Sequence, residues 1–163
     1  MDKKLEQAIN EQIQKELYSA YLYLSMAAYL DAESLDGSAK WMKVQAKEEV
    51  AHGMKLYEFL NDRGHRVVLG AIDKPPADFS SVQEIFEETL KHEKKVTVSI
   101  HNLYALAEKV DDTAAKVFLH WFIEEQVEEE KNASDILGKL KYIGKQSSGI
   151  LMLDKALGKR GEK

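Results

Sequence analysis

The segment Lys47–Met54, KEEVAHGM, places two adjacent carboxylates and an imidazole in a stretch whose apolar spacing is typical of a helix. Glu49 and His52 are three residues apart, so their side chains lie on the same helix face. That face should be apolar if the helix packs in a core. A Glu-rich, sulfur-free ligand set that includes one histidine favours iron or manganese over copper or structural zinc. The spacing therefore predicts that these residues hold metal.

Helices are the elements that would position this pair. Apolar residues recur at intervals of three and four along most of the 163 residues, and both prolines lie in one segment, DKPPADFSS. This pattern is typical of an all-α protein. We expect four long helices and a short amphipathic fifth one. Their predicted ranges are about 3–35, 38–63, 81–110, 113–145 and 147–158.

Capping residues suggest where these helices begin and end. We expect the first helix to stop at the pair Asp36-Gly37, and the second to stop at Gly64, which suits a C-terminal cap. Ser81 and Glu84 have the spacing of a capping box at the start of the third helix. The pair Asp111-Asp112 is expected to cap the fourth helix.

Loop lengths restrict the topology. The first and second helices, and likewise the third and fourth, are joined by very few residues, so each pair should form an antiparallel hairpin. The connection over residues 64–80 is long enough to cross a helix of about 39 Å, at up to about 3.3 Å per residue. The second and third helices can therefore lie parallel. Residues 1–163 are predicted to form one domain, with the four-helix bundle over about 3–145.

An interior stripe can be traced along each helix by steps of four and three residues. Each of the four stripes is apolar except near the middle of its helix, so the exceptions should meet in one layer of the bundle. The interrupting residues are Glu16 on the first helix, Glu49 and His52 on the second, Glu93 on the third, and Gln126 and Glu129 on the fourth.

The two halves of the chain share this spacing. An interval of 33 residues separates Glu16 from Glu49, and the same interval separates Glu93 from Gln126. A further polar residue follows three positions later in both halves. The chain therefore reads as two degenerate copies of one helical hairpin.

The buried charge needs compensation. Burying an unpaired carboxylate costs several kcal/mol, against a typical net stability of about 5–15 kcal/mol. No lysine or arginine lies on any of the four stripes. Metal cations supply the missing positive charge most simply, and four carboxylates would balance two divalent ions.

These motifs resemble those of a ferritin of the non-haem prokaryotic type, over essentially the whole chain. The resemblance is carried by ELYSAYLYLSMAAYLD, WMKVQAKEEVAHGMKLYEFLNDRGHRV, HE and FIEEQVEEE in the four successive helices. It implies a ferritin-like bundle that oxidises Fe(II) at a di-iron ferroxidase centre, with O2 or H2O2 as oxidant. It also implies storage of Fe(III) as a mineral inside a homo-oligomeric cage of about 24 subunits.

The resemblance also implies roles for particular residues. The first iron position would use Glu16, Glu49 and His52. The second would use Glu49 as a bridge, together with Glu93 and Glu129, and with Gln126 close by.

A third iron position, toward the interior of the cage, is implied by related prokaryotic ferritins. It would use Glu48, Glu125, Glu128 and Glu129. Tyr23 matches an aromatic residue of the family near the centre. A core position explains this tyrosine by itself, but its hydroxyl could also serve a metal ligand or pass an electron.

Differences from bacterioferritins, which are similar to this chain, bear on whether it binds haem. Bacterioferritins repeat the Glu-x-x-His motif on the fourth helix and place a haem-ligating methionine directly after the first Glu of that motif. Here the fourth helix has Gln126 and Glu129, and Val50 follows Glu49, so we expect no haem.

Two alternatives to iron storage remain. One is a di-iron peroxidase or oxygenase without mineral storage, and the other is a metal-free helical scaffold.

Composition excludes other classes of function. The 28 acidic residues exceed the 23 basic ones, the net charge is -5 and there is no basic run, which argues against nucleic acid or anionic membrane as partners. The N-terminal MDKKLEQAINEQ lacks the apolar region of a signal peptide, and no uncharged run approaches the roughly 18 residues of a membrane span. These features predict a cytoplasmic protein. The absence of cysteine excludes disulfides, thiolate zinc sites and iron-sulfur clusters.

Surface roles are expected for other polar residues. His92 lies off the stripe, and Glu124 and Glu130 read as parts of a solvated face.

The first helix is also apolar beyond its stripe, which predicts a subunit interface unless the long crossover loop wraps that helix. The residues concerned are Leu17, Tyr18, Tyr21, Leu22, Leu24, Met26 and Tyr29.

Overall fold

The computed structural model describes residues 1–161, and the regular elements in that range are all helices. The helices are α1 (Lys3–Ala32), α2 (Asp36–Asp62), α3 (Val82–Lys109), α4 (Thr113–Ile143) and α5 (Ser147–Leu157). The predicted all-α class, with four long helices and a short fifth one, is confirmed. Within residues 1–161, no helix is both long enough and apolar enough to cross a bilayer.

The prediction for the end of α1 was wrong by several residues. Ser34 adopts a left-handed conformation with a φ of 58°, and the Leu35 amide donates to the Leu30 carbonyl across 3.0 Å. This is the hydrogen-bond pattern of a helix C-terminal cap, which usually has glycine at the left-handed position. Because serine takes that position here, the search for a capping glycine led to Gly37 instead. Asp36 and Gly37 belong to the first turn of α2.

The other capping predictions agree more closely with the structure. Gly64 follows α2 with a φ of 75°. Ser81 caps α3 by accepting a hydrogen bond from the Glu84 amide at 3.1 Å. The Glu84 carboxylate, however, accepts from the amide of Ser80 rather than from that of Ser81, so the predicted capping box is displaced by one residue. Asp112 caps α4.

Side-chain contacts establish the directions of the helices. Between α1 and α3, Gln12 contacts Ser99 while Ser19 contacts His92, so the contacts advance along one helix as they retreat along the other. These two helices are therefore antiparallel. The contacts of α2 with α4, and of α3 with α4, follow the same rule. Because both α2 and α3 run against α4, they are parallel to each other, as predicted.

The connection between these parallel helices runs along the outside of α1. Its first part is held where the Val68 amide donates to the Asn10 side chain at 2.7 Å. Its last part is held where Phe79 packs edge-on against Tyr29, with ring centroids 5.6 Å apart. Later residues of the loop contact later residues of α1. The loop therefore runs along the length of the bundle, as predicted.

The crossover covers only part of the apolar surface of α1. Leu22 and Met26 are buried, and Tyr29 packs under the loop. Tyr21 and Leu24 remain 49% and 48% exposed. Packing in the core accounts for Leu22 and Met26, and packing under the loop accounts for Tyr29. The subunit interface remains the prediction for the others.

Two hydrophobic clusters make up the core. One cluster lies toward α5 and includes Met42 and Phe86, and the other lies toward the opposite end of the bundle and includes Ile9, Leu56 and Leu119. Buried polar side chains occupy the layer between the clusters. The fold thus encloses its polar residues between two apolar ends.

Helix α5 is anchored at the N-terminus of α2. The Asp154 carboxylate accepts hydrogen bonds from the amides of Gly37 and Ser38, at 3.1 and 2.7 Å, and from the Ser38 hydroxyl at 2.7 Å. Amides in the first turn of a helix have no partner within the helix, and the helix dipole favours negative charge there. Asp154 therefore caps α2 in place of Leu35, whose side chain makes no capping hydrogen bond.

This anchor predicts that Gly37→Ala lowers the thermal unfolding midpoint. The added Cβ would lie 1.9 Å from the backbone oxygen of Asp154, so α5 must shift. Forced displacement of this kind costs about 1–3 kcal/mol. Gly53→Ala is the matched control in the same helix, because its Cβ would meet Leu17 at an ordinary 3.5 Å and helical alanine is favoured over glycine. Equal thermal unfolding midpoints for the two variants would contradict the conclusion that α5 stabilises the fold by packing at the N-terminus of α2.

Candidate metal centre

The structure places all six interrupting residues of the stripes in the polar layer. Each of them is at most 5% exposed. The stripe spacing explains this placement, since helical residues three or four apart point to the same side. The residues concerned are Glu16, Glu49, His52, Glu93, Gln126 and Glu129.

One set of possible ligands joins α1 and α2. We call Glu16, Glu49 and His52 the first ligand group, because one ligand atom from each lies within 4.8 Å of the others. His52 Nδ1 lies 3.3 Å from a carboxylate oxygen of Glu49. The first iron position suggested by the sequence therefore corresponds to residues that are adjacent in space.

Glu93 extends the centre from α3 and is held by hydrogen bonds on both oxygens. One oxygen accepts from the Tyr23 hydroxyl, and the other accepts from Gln126 Nε2 at 3.1 Å. Burial, followed by the charge of Glu93, raises the pKa of Tyr23 well above its usual value, so the hydroxyl stays protonated and donates. The amide of Gln126 also donates to Thr97. In this geometry Gln126 orients Glu93 with its amide nitrogen.

A second set of possible ligands joins α2 and α4. We call His52, Glu125 and Glu129 the second ligand group, since their ligand atoms also lie within 4.8 Å of one another. His52 Nε2 lies 3.8 Å from a Glu125 oxygen. The two ring nitrogens of His52 therefore face different groups.

The residues suggested for a third iron position are thus only partly brought together. Glu125 and Glu129 belong to the second ligand group. Glu128 is exposed, and the Glu48 carboxylate forms an ion pair with Arg160.

The central carboxylates have no buried lysine or arginine partner within residues 1–161, and their pKa values are raised. Burial raises the pKa of Glu16 and of Glu49 well above the ordinary value, and neighbouring carboxylates raise both further. Burial and the charge of Glu93 raise the pKa of Glu129 to about 7. The pKa of Glu93 is also raised by burial, but hydrogen bonds from Tyr23 and Gln126 oppose the shift.

The donor set fits a cation such as iron. Within residues 1–161, one oxygen of Glu16 is buried without a hydrogen-bond partner, although a buried polar atom is normally paired. Glu16 belongs to the first ligand group. Carboxylate oxygens and one imidazole are suitable ligands for iron.

Two glutamines that were not singled out from the sequence hold the carboxylates in place. Gln45 Nε2 donates to Glu129 at 2.6 Å and to Glu49 at 3.3 Å. Gln12 Nε2 donates to Glu16 at 2.7 Å. Gln45 lies on the stripe of α2, and Gln12 precedes Glu16 by four residues, so helical spacing could have identified both.

Two residues with an expected surface role, His92 and Glu130, are less exposed than expected. His92 is only partly exposed, its Nε2 lies 2.7 Å from the Ser19 hydroxyl oxygen, and its ring packs edge-on against Tyr23 at 5.9 Å. Burial, followed by the charge of Lys95, lowers the pKa of His92 to about 4. Glu130 is partly buried too and accepts a 2.6 Å hydrogen bond from Thr97. Neither residue lies on a stripe, and packing against neighbouring helices decided their burial.

Fold and site together define a ferritin-like helical bundle with a carboxylate-rich centre, and the sequence profile of the ferritin-like domain matches residues 6–143. The chain belongs to the ferritin family.

Similar proteins agree with this assignment. The bacterial non-heme ferritin of Staphylococcus aureus is 41% identical over 160 residues, which cover 98% of this chain and 96% of that protein. A probable bacterial non-heme ferritin-like protein of Haemophilus influenzae is 41% identical over 92% of this chain and 91% of its own length. The crystal structure of an open pore ferritin from the archaeon Archaeoglobus fulgidus superposes with a TM-score of 0.97 at 46% identity, covering 98% of both chains.

The raised carboxylate pKa values predict how the stability of the metal-free protein depends on pH. A carboxyl whose pKa is higher in the folded state stabilises the fold at low pH, and this contribution is lost as pH rises from the unfolded value, 4.5, through the folded value, about 7 for Glu129. We therefore expect metal-free protein to resist urea less at pH 8 than at pH 5. Glu129→Gln should reduce this difference, whereas Glu124→Gln, at an exposed position, should leave it unchanged. Equal resistance of the metal-free protein to urea at pH 5 and pH 8 would contradict the raised pKa values of the buried carboxyl groups.

The glutamine contacts predict a loss of metal affinity in Gln45→Met. This change preserves much of the side-chain volume but removes the donor to Glu129 and Glu49. Loss of a group that orients metal ligands typically weakens binding by about 10-fold to 100-fold. Anaerobic calorimetric titration with Fe(II) measures the effect, with Gln7→Met at an exposed position of α1 as control. Unchanged affinity would show that Gln45 does not position the ligands.

Proposed function

We propose that this protein stores iron and oxidises Fe(II) at the centre of each helical bundle. The observation that carries the proposal is the concentration of carboxylates without a buried basic partner. Within residues 1–161, the buried charged and imidazole side chains are four glutamates and His52, and no lysine or arginine is buried. Divalent cations would neutralise this charge.

The substrate ions would share a carboxylate. Glu16, Glu49 and His52 would bind one Fe(II). Glu49 would bridge to a second Fe(II) bound by Glu93 and Glu129. Two ferrous ions held close together can deliver two electrons to one oxygen molecule. Membership in the ferritin family supports this assignment of the central ligands.

The surrounding residues would fix the ligands before iron arrives. Gln12 and Gln45 donate to carboxylates on either side of the centre, and Tyr23 and Gln126 hold Glu93. Their hydrogen bonds restrict the rotation of the carboxylates and so lower the ordering cost of binding. Tyr23 is the candidate for passing an electron, because its hydroxyl contacts a ligand directly.

A route from oxidation to storage is the second part of the proposal. His52 faces both ligand groups, and Glu129 lies within the second group while also serving the centre. Iron leaving the centre would thus meet Glu125 and Glu129 next. We propose that it continues into a closed homo-oligomeric shell of about 24 copies and deposits there as ferric mineral. The half-exposed Tyr21 and Leu24 on α1 supply apolar surface for subunit contacts.

The proposal predicts that Glu49→Gln slows aerobic Fe(II) oxidation by about a hundredfold. Gln keeps the volume of Glu49 but removes the shared negative charge, and loss of one preorganised electrostatic group in an active site typically costs this much. Stopped-flow absorbance after Fe(II) addition measures the rate. Glu58→Gln is the matched control, because Glu58 is exposed on the same helix.

Light scattering on each variant separates catalysis from assembly. Both variants should assemble to the same mass as the parent protein, since position 49 lies inside the bundle. Equal oxidation rates in the parent protein and Glu49→Gln would end the ferroxidase assignment. A small oligomer that turns over peroxide without accumulating iron would favour a di-iron peroxidase instead.

A further inference from the structure

The segment that follows α5 runs along the surface of α2 toward the second ligand group. Asp154, within α5, anchors that helix at the first turn of α2. Farther along, Gly161 lies next to Val44, where a Cβ on the glycine would be 3.7 Å from a valine methyl group. Arg160 is therefore placed against the middle of α2.

The Arg160 side chain makes three contacts with α2. Its guanidinium carbon lies 4.2 Å from the centre of the Trp41 ring, and Nη1 donates to the Trp41 carbonyl at 3.4 Å. Nη2 donates to a carboxylate oxygen of Glu48. Trp41 and Glu48 are seven residues apart, so they lie on one face of the helix. The arginine is thus held by an aromatic ring and directed at one carboxylate.

That carboxylate borders the second ligand group. Glu48 lies one helical turn before His52, and the charges of Glu125 and Glu128 act on it. Its side chain is 43% exposed, so it remains accessible from solvent. Glu48 nevertheless does not join the set of ligand atoms formed by His52, Glu125 and Glu129, and one of its oxygens pairs with Arg160 instead.

We propose that Arg160 is a displaceable cation that competes with metal for Glu48 and so limits metal binding at the second ligand group. The inference deepens the proposed function and rests on it, since this group would receive iron that leaves the centre. When Arg160 holds Glu48, the group has three ligands. When Arg160 leaves, Glu48 becomes available as a fourth.

Two physical properties make arginine suited to this role. Its guanidinium stays charged at all physiological pH values, so the competition does not depend on arginine titration. An ion pair that is partly exposed contributes only modest stability. A divalent ion can therefore displace it, whereas a fully buried pair would resist. By thermodynamic linkage, metal bound at the second ligand group must weaken the hold on Arg160 to the same degree that Arg160 weakens metal binding.

Zinc titration calorimetry of the assembled protein tests the competition, because Zn(II) binds such ligands without being oxidised. The binding step that disappears in Glu125→Gln identifies the second ligand group. In Arg160→Gln, we expect the affinity of that step to rise about fivefold, with the other steps unchanged. Lys159→Gln removes the same charge from the adjacent exposed residue and should have no effect.

Hydrogen exchange in the unaltered protein supplies a test that needs no variant. Saturating Zn(II) should increase amide exchange in residues 158–161, because displaced Arg160 releases the segment. Affinity that stays the same or falls in Arg160→Gln would overturn the proposal, as would an equal rise in Lys159→Gln. Exchange that slows on zinc addition would show that the arginine assists metal binding, which also overturns it.

These results are independent of the ferroxidase test. If Glu49→Gln oxidised Fe(II) at the parent rate, the proposed function would fail while the zinc competition could still be observed. If Glu49→Gln were inactive and Arg160→Gln bound zinc like the parent protein, only the role of Arg160 would fail.

Discussion

Mutual repulsion among buried carboxylates is the constraint on which the rest of this structure depends. Glu16, Glu49, Glu93 and Glu129 lie in one layer that contains a single imidazole and no buried lysine or arginine within residues 1–161. Burial raises the pKa of all four. Such a layer is costly when empty and favourable when cations bind, because the same charges that repel one another attract metal. The repulsion lowers the stability of the metal-free fold, and the same charges would supply the metal affinity that we propose.

Two features of the fold provide that support. Apolar clusters on both sides of the layer hold the four helices together independently of the polar residues. Within the layer, Gln12, Gln45, Gln126 and Tyr23 each donate a hydrogen bond to a carboxylate. These donors are neutral, so they orient the carboxylates without cancelling the negative charge that would bind metal. A lysine or arginine in their place would satisfy the same oxygens but would compete with the cation.

Among residues 1–161, a charged partner of this kind is found only at the edge of the site, where we propose that metal can displace it. Arg160 pairs with Glu48 at a position that is open to solvent, and Trp41 supports its guanidinium group. The strength of an ion pair depends on its surroundings, being screened in water and much stronger inside the protein. Neutral donors at the centre and a charged one at the periphery are consistent with tight initial binding followed by regulated transfer.

The sequence by itself determined the fold class and the polar layer, because helical periodicity converts residue spacing directly into a shared face. The sequence also located Glu16, Glu49, His52 and Glu93 at one height. The length of the crossover loop allowed α2 and α3 to lie parallel, and the packing of both helices against α4 decided that they do. Only the tertiary structure decided the end of α1, where Ser34 takes a conformation more typical of glycine, and the burial of His92, which depends on a neighbouring helix. The pairing of Arg160 with Glu48 likewise joins residues 112 positions apart, and no local pattern encodes such a contact. Periodicity specifies which side of a helix is buried, whereas the partners across a helix interface follow from how the assembled elements pack.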